Sequence, residues 1–266
     1  MRADRVALRV DEGVAHLRLS RPDAGNAIDR AMVEALDEAV GLVEKAVTEH
    51  TARAVLLAAE GSAFCVGGDL RYFRERLDDL PGELDAMIGV YHGSTLPRLA
   101  ALDVPVVVAA QGGVGGGGLG LLWIADILIA ADDLKLATGF TRLGMTGDGG
   151  SSWYLPRLVG LRRAQALALR STAVSAREAL DLGLVTDVVR RGDLAEVAAA
   201  QAAELATGPT WAYAGIKRLL ADSGRRTYPE QLTDEYRVML AGAGRADVRE
   251  GITAFAERRA PRFDGR

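Results

Sequence analysis

The sequence predicts an α/β fold over residues 1–192 and a helical region over residues 193–266. Three observations support this prediction. Short apolar runs, rich in valine and isoleucine and bounded by turn residues, have the composition of buried strands. Apolar residues at helical spacing occur between these runs, so predicted strands and helices alternate along the chain. After residue 193 the helical spacing continues, with breaks only where glycine, proline or serine interrupts it.

The first hundred residues predict a hairpin, buried strands and helices. Residues 6–10 and 14–19 alternate between apolar and polar side chains, and the polar turn between them predicts a β-hairpin. Asn26 has the side chain of a helix start, and residues 28–49 follow with helical spacing. The same patterns predict a strand at 53–59, a strand–glycine–helix junction at 61–70, and helices at 71–80 and 83–102.

The next ninety residues complete the predicted α/β region. Ser175 and Glu178 have the spacing of a capping box, so a helix is expected to begin there and to end at Gly183. The remaining predicted elements are strands at 127–131, 134–137 and 184–189, a glycine-rich loop at 138–150, and helices at 151–159 and 162–169.

The composition is that of an ordinary soluble globular protein, with 49% hydrophobic and 26% charged residues. A net charge of −4 without a basic stripe argues against a nucleic-acid partner. The single cysteine, Cys65, excludes an intramolecular disulfide, and the three histidines lack zinc-ligand spacing, so no metal is expected. The N-terminal segment lacks the apolar core of a signal peptide, so we expect a cytoplasmic protein without membrane association.

A glycine-rich stretch lies at residues 104–130, where six of the seven residues at 112–118 are glycine. Such density is tolerated where backbone approaches another group closely or presents amides at a helix start. Pro105, Gln111 and Asp126 interrupt the apolar run and exclude a transmembrane helix. The residues alone leave three interpretations open: a dinucleotide-binding turn, an oxyanion-binding turn and a tight packing turn.

Two segments resemble motifs of the crotonase (enoyl-CoA hydratase/isomerase) superfamily. Residues 63–70, AFCVGGDL, are similar to the family motif AFCAGxDL. Residues 105–126 resemble the second motif, an apolar strand followed by a glycine-rich turn and a helix. Weaker similarities follow in family order at 21–27, 155–160, 179–189 and 254–263. Their order and spacing favour the oxyanion interpretation of the glycine-rich stretch over the dinucleotide one.

The resemblance implies a spiral of ββα repeats with a C-terminal helical region used for trimerisation, in a homotrimer or a dimer of trimers. It also implies an acyl-CoA thioester as ligand, with no cofactor beyond the coenzyme A of the substrate. By motif position, the amides of Gly68 and Gly117 polarise the thioester carbonyl, and preorganised amides stabilise an enolate oxygen strongly. The residues implied to contact substrate or CoA are Ala24, Val66, Gly67, Gly68, Asp69, Leu70, Gly117 and Phe140.

Two departures from the family pattern concern hydration. Hydratases that the chain resembles use two glutamates to position and deprotonate a water molecule. By motif position, Gly120 and Phe140 replace those glutamates here. Neither residue can transfer a proton, so classical hydratase activity is not expected.

One carboxylate remains in the implied site. Asp148, within residues 147–150, resembles the aspartate of a P-D-x-G-G motif in phenylacetate-pathway isomerases, with Gly147 replacing the proline. A single base suits removal of a proton α to the thioester and its return to the γ carbon. The sequence therefore favours enoyl-CoA isomerase-like activity, with Asp148, Gly68 and Gly117 as the catalytic groups. The alternatives are epoxide or ring isomerisation, dehalogenase-like substitution with Asp148 attacking, a structural Asp148, and a non-catalytic CoA-thioester binder.

Four other residues carry simpler expectations. Asp69 is expected to cap a helix, and Cys65 to be a small buried residue rather than a nucleophile. His92 could line the acyl pocket, but a surface or packing histidine is the favoured expectation. Trp153 is expected to line the acyl pocket together with Phe140 and Met145.

Overall fold

A computed structural model describes residues 5–265 of the protein. Within that range the strands form a six-stranded and a three-stranded sheet. The strands are β1 (Val6–Asp11), β2 (Val14–Leu19), β3 (Ala54–Ala59), β4 (Val106–Ala110), β5 (Gly113–Gly115), β6 (Ile127–Ala131), β7 (Lys135–Ala137), β8 (Val174–Ser175) and β9 (Asp187–Val189). The larger sheet has the order β1-β2-β3-β4-β6-β9, and the smaller has the order β5-β7-β8.

The larger sheet is parallel except for the predicted hairpin between β1 and β2. One row of side chains crosses it in register, from Leu17 through Leu57 and Val108 to Leu128. All four side chains are buried in the main core. The row packs on the face that also receives the first long helix, and this packing fixes the register because a one-residue slip would move the row to the opposite face of the sheet.

Single helices and groups of two or three helices separate many of the strands as far as β9, and within residues 5–265 only helices follow β9. They are α1 (Arg30–Thr48), α2 (Leu70–Arg74), α3 (Leu80–Val90), α4 (Leu96–Ala100), α5 (Gly120–Trp123), α6 (Ser151–Val159), α7 (Leu161–Arg170), α8 (Ala176–Asp181), α9 (Leu194–Ala206), α10 (Thr210–Asp222), α11 (Tyr228–Ala243) and α12 (Ala246–Glu257). The capping box at Ser175 and Glu178 is present as expected. No helix within residues 5–265 is both long and apolar enough to cross a bilayer.

The start of α1 corrects the expectation for Asn26. The helix is capped by Asp29, whose Oδ1 atom accepts a hydrogen bond from the Met32 amide at 2.8 Å. Asn26 is buried instead, with a φ of +55°. Its side-chain amide donates to the carbonyl oxygens of Glu60 and Ala63, both at 2.9 Å. Asn26 therefore ties the loop before α1 to the loop that leads into the first glycine junction.

Three predicted elements have different limits in the structure. The helix predicted at 71–80 is confined to α2 and a short 3₁₀ turn, because a new helix, α3, begins at Leu80 with Pro81 in its first turn. The helix predicted at 83–102 is divided by a π-helical turn, Tyr91–Thr95, between α3 and α4. The strand predicted at 184–189 is reduced to β9, since residues 184–186 form the approach to it.

The C-terminal helices fall into two groups. Helix α9 packs on the outer face of the larger sheet, where Leu194, Ala198 and Ala202 join a second buried cluster with Val107 and Ile129. Helices α10, α11 and α12 leave many apolar side chains in solvent. These exposed residues include Ile216, Leu220, Tyr228, Tyr236, Met239, Leu240, Ile252 and Phe255, the last with 87% of its surface accessible.

Candidate active site

The two glycine-rich junctions of the sequence, residues 61–70 and residues 112–120, lie against each other. Cys65 and Val114 form a parallel β-bridge, and the Gly115 amide donates to the Cys65 carbonyl oxygen at 3.0 Å. Gly67 has a φ of +94°, and a Cβ atom there would lie 2.7 Å from the Gly115 carbonyl oxygen. Only glycine permits this approach, so the close contact of the two loops depends on it.

Gly68 and Gly117, the two predicted amide donors, border one cavity. No acceptor within residues 5–265 pairs with the Gly68 amide. Gly117 is the second residue of the 3₁₀ turn Gly116–Leu119, so its amide precedes the first one that can donate within the turn. Both N–H groups are therefore placed to serve an acceptor from outside the chain.

Asp148 lies directly beside Gly117. Its Oδ2 atom is 2.7 Å from the position that a Cβ atom on Gly117 would take. Its Oδ1 atom accepts a hydrogen bond from the Gly149 amide at 2.7 Å. The loop reaches this place because Gly149 packs on Gly120: a Cβ atom on Gly120 would lie 2.9 Å from the Gly149 carbonyl oxygen. The structure thus brings together a carboxylate and a candidate amide donor that are distant in sequence.

The His92 side chain is exposed, as expected, and it also borders the cavity, which was the alternative. Its Nε2 atom lies 2.5 Å from Asp148 Oδ1, a distance at which the two atoms share a proton in a hydrogen bond. The Gly149 amide is also 3.1 Å from Nε2. The sequence carries no signal for this contact, because His92 lies in the π-helical turn Tyr91–Thr95, which the spacing of a regular helix does not anticipate.

The cavity that these groups border has a volume of about 730 Å³ and mostly apolar walls. Phe140 and Met145 line it as expected, but Trp153 does not. The Trp153 ring is turned toward the next turn of α6, where the Arg157 guanidinium stacks 3.8 Å from the ring centroid. Other apolar lining residues are Val33, Phe73, Leu84, Met87, Ile88 and Leu143.

A second cleft, of about 580 Å³, adjoins this cavity at Val66, Gly68 and Leu70. Ala24 and Asp69 also line the second cleft. The residues that the resemblance implied for CoA contact therefore lie along one continuous surface leading away from Asp148. Gly67 lies behind that surface, where its backbone packs against the other glycine junction.

Asp69 caps α2, as expected from its position. Its Oδ1 atom accepts hydrogen bonds from the amides of Arg71 and Tyr72 at 3.0 and 3.1 Å, and its Oδ2 atom pairs with Arg21 at 2.7 Å. Burial alone would raise the pKa of Asp69, but the Tyr72 amide and the Arg21 guanidinium outweigh burial and lower this pKa below its usual value. The carboxylate is thus ionised and fully engaged in holding the loop.

Cys65 is fully buried, and burial raises the pKa of its thiol to about 12. Because the thiolate is the reactive form, Cys65 is a packing residue at neutral pH, as expected. Within residues 5–265, no group of His, Cys, Asp or Glu side chains is arranged to hold a metal ion.

The two positions where the family resemblance implied glutamates offer no proton-transfer group. At Gly120 even a Cβ atom would lie 2.9 Å from both the Gly149 carbonyl oxygen and Leu96 Cδ1. A glutamate could not be accommodated there without moving the loop that carries Asp148. Phe140 contributes only its ring to the cavity wall.

The chain belongs to the enoyl-CoA hydratase/isomerase family, whose model matches residues 9–266, and thus to the crotonase superfamily. It is an acyl-CoA-processing enzyme of that superfamily, with a mixed α/β crotonase-type fold.

Individual relatives carry different activity names. The chain is 35% identical over 264 residues to a protein of Rhodobacter capsulatus named "Probable enoyl-CoA hydratase", with 98% of each chain covered. It is 35% identical over 260 residues to the 1,2-epoxyphenylacetyl-CoA isomerase of Escherichia coli, with 97% of each covered. A solved Mycobacterium abscessus structure that carries the hydratase/isomerase family name is 39% identical, with a TM-score of 0.91 over 98% of this chain and 100% of that chain.

Proposed function

We propose that this protein moves the double bond of an enoyl-CoA thioester by proton transfer. The observation that carries the proposal is the position of Asp148 Oδ2, 2.7 Å from where a Cβ atom on Gly117 would lie, on the border of an apolar cavity. With the two groups side by side, the base can act on the α carbon of a thioester while the amide donor binds the carbonyl oxygen of the same thioester. The absence of a carboxylate at Gly120 and Phe140 supports isomerisation over hydration.

The proposed reaction needs one base and two amides. The N–H groups of Gly68 and Gly117 bind the thioester oxygen and stabilise the negative charge that develops on it. Asp148 removes a proton from the α carbon, which gives a dienolate and a protonated carboxyl group. The same carboxyl group returns a proton to the γ carbon as the enolate collapses to the thioester. The double bond thereby moves into conjugation with the carbonyl group, and no atom is gained or lost.

The two carboxylate oxygens of Asp148 have different contacts and, in our proposal, different roles. The Gly149 amide and His92 Nε2 both meet Oδ1, at 2.7 and 2.5 Å. Oδ2 lies on the Gly117 side of the carboxylate and carries the proton transfer in our proposal. His92 and Gly149 hold the carboxylate plane fixed, which keeps Oδ2 within reach of the substrate carbon.

We also propose that the second cleft holds the CoA portion of the substrate. It opens from the cavity beside Gly68, one of the two proposed thioester donors, and passes Ala24 and Asp69. Val66 and Leu70 are exposed at the junction, with apolar side chains free to contact pantetheine. The cavity behind Gly117 would then receive an apolar acyl group, because its walls are formed largely by aliphatic and aromatic side chains.

The direct test of the proposed function compares two substrates. Purified protein is incubated with a 3-enoyl-CoA and, separately, with crotonyl-CoA, and the products are separated by liquid chromatography. We expect conversion of the 3-enoyl-CoA to its 2-enoyl isomer and no accumulation of 3-hydroxybutyryl-CoA from crotonyl-CoA. Rapid hydration of crotonyl-CoA would contradict the role given to Gly120 and Phe140. Tight CoA-thioester binding without turnover of either substrate would indicate a binding protein instead.

We further propose that α10, α11 and α12 associate with other copies of this chain, as a homotrimer or a dimer of trimers. The support is the concentration of exposed apolar side chains on these helices, a surface typical of protein interfaces. Replacing Tyr236 and Met239 together with glutamate is expected to give monomers in sedimentation velocity, because charge is costly in an apolar interface. The control is Leu169→Glu, an equally exposed leucine on α7, which should leave the assembly intact. A monomeric wild-type protein would contradict this proposal.

A further inference from the structure

The π-helical turn Tyr91–Thr95 brings two consecutive side chains to the proposed active site. His92 reaches Asp148, as described above, and Tyr91 lines the same cavity. A π turn is wider than a regular helical turn and occurs frequently at functional sites. The turn therefore places His92 against the proposed base, Asp148, and Tyr91 against the backbone of Gly117.

Tyr91 is 3% exposed, and its hydroxyl group donates a hydrogen bond to the Gly117 carbonyl oxygen at 3.0 Å. Burial raises the pKa of Tyr91 well above its usual value, and the negative charge of Asp148 acts in the same direction. The phenol is therefore protonated throughout the physiological pH range. Its hydrogen is always available to the Gly117 carbonyl group.

The backbone segment that Tyr91 contacts has no side chains of its own to anchor it. Residues 115–118 are four consecutive glycines, and glycine has more backbone freedom than any other residue. Among the side chains of residues 5–265, Tyr91 supplies the one hydrogen bond to this segment. The segment is otherwise confined by backbone hydrogen bonds, from the Gly115 amide to the Cys65 carbonyl oxygen and from the Gly120 amide to the Gly117 carbonyl oxygen, and by packing contacts such as Cys65 Sγ beside Gly118.

We propose that Tyr91 is a positioning residue: by holding the Gly117 carbonyl group it restrains the Gly117 Cα atom, and thereby the preceding peptide unit, so that the Gly117 N–H group stays directed at the thioester oxygen. The proposal rests on the function proposed above, because it assumes that this amide polarises the thioester. An oxyanion donor is effective only when it is already oriented before the charge develops. Tyr91 acts at a distance from the substrate through the backbone, whereas Asp148 acts on it directly.

Removing the Tyr91 hydroxyl group should change the orientation of the Gly117 N–H group without unfolding the glycine-rich segment. The Gly120 amide also donates to the Gly117 carbonyl oxygen, so this oxygen keeps a partner in Tyr91→Phe. The ring of phenylalanine fills the same buried space. We expect kcat for isomerisation to fall by about tenfold to a hundredfold, as for a misdirected catalytic group, with KM changed less than about twofold.

The test also measures the polarisation of the thioester carbonyl, which would not change if Tyr91 had a purely structural role. Butyryl-CoA with an isotopically labelled thioester carbonyl is bound to the protein, and the carbonyl stretching frequency is measured by difference infrared spectroscopy. The wild type is expected to lower this frequency, and Tyr91→Phe to lower it by a smaller amount. The control is Tyr213→Phe, a tyrosine on α10 remote from the cavity, which should match the wild type in both rate and frequency.

The outcomes separate this inference from the function on which it rests. If the wild type isomerises 3-enoyl-CoA and polarises butyryl-CoA, but Tyr91→Phe does both equally well, Tyr91 has no positioning role. If the wild type itself neither isomerises nor polarises, the proposed function fails instead. A Tyr91→Phe protein that is poorly folded is recognised by a changed circular dichroism spectrum, and Tyr91→His, which keeps a donor, is then compared with Tyr91→Leu, which has none. Recovery of the frequency shift only with a donor at this position supports the inference, and recovery without one overturns it.

Discussion

Asp148→Asn is expected to lower kcat for double-bond migration by about a thousandfold, the usual contribution of a general base. The amide of asparagine has nearly the same shape as the carboxylate and can still meet the Gly149 amide and His92. It cannot accept the α proton, so the dienolate does not form. Substrate binding should change little, because the amides of Gly68 and Gly117 and the apolar walls are unaltered.

The measurement is a steady-state assay of 2-enoyl-CoA formation, together with calorimetric titration of butyryl-CoA into both proteins. The control is Asp181→Asn, which removes an exposed carboxylate paired with Arg177 on α8 and should retain wild-type activity. If Asp148→Asn keeps most of the isomerase activity, the carboxylate is not the base. If it also loses butyryl-CoA binding, Asp148 serves to hold the site together.

Gly112→Ala is expected to lower the free energy of unfolding by about 3 kcal/mol or more, through backbone strain and a steric clash. Gly112 has a φ of +58°, which alanine adopts only with strain, and a Cβ atom there would overlap the Ser62 carbonyl oxygen. Ser62 lies at the entry of the first glycine junction, so the clash would push the two junctions apart. Loss of stability should therefore be accompanied by loss of thioester binding.

A neighbouring glycine provides the matched control for this prediction. At Gly113 a Cβ atom would meet only Val66 Cγ1, at the ordinary contact distance of 3.8 Å. Gly113→Ala is expected to stay within about 1 kcal/mol of the wild type, as most substitutions without a clash do. Urea unfolding of the three proteins, followed by circular dichroism, measures the difference. Equal stability of the two variants would show that the loops relax readily and are not held by close backbone contact.

The parts of the fold that follow from local patterns were predictable from the sequence. The β1–β2 hairpin and α6 lie where alternation and helical spacing place them, and the capping box at Ser175 begins α8. The helix start at Asn26 was not predictable in the same way. Asn and Asp both favour helix starts, and only the tertiary contacts of Asn26 with Glu60 and Ala63 assign it to the loop instead.

The candidate site was predictable where a motif fixes its residues by spacing. Gly68, Gly117 and Asp148 lie on the border of one cavity, and the structure adds that Gly120 has no room for a side chain. The positions of His92, Tyr91 and Trp153 were not predictable. His92 and Tyr91 depend on a π-helical turn that shifts the helical phase, and Trp153 lies outside the cavity, where it stacks with Arg157.

The central claim is that the enzyme rearranges an enoyl-CoA and does not add water to it. Proton NMR of a 3-enoyl-CoA incubated with the wild-type protein in deuterium oxide tests this claim most directly, because it distinguishes the two products and shows, by loss of proton signal, which carbon has gained deuterium. The proposed chemistry predicts a 2-enoyl-CoA product in which any deuterium gained is at the γ carbon, formed without detectable 3-hydroxyacyl-CoA. A 3-hydroxyacyl-CoA carrying deuterium at the α carbon as the main product would contradict it.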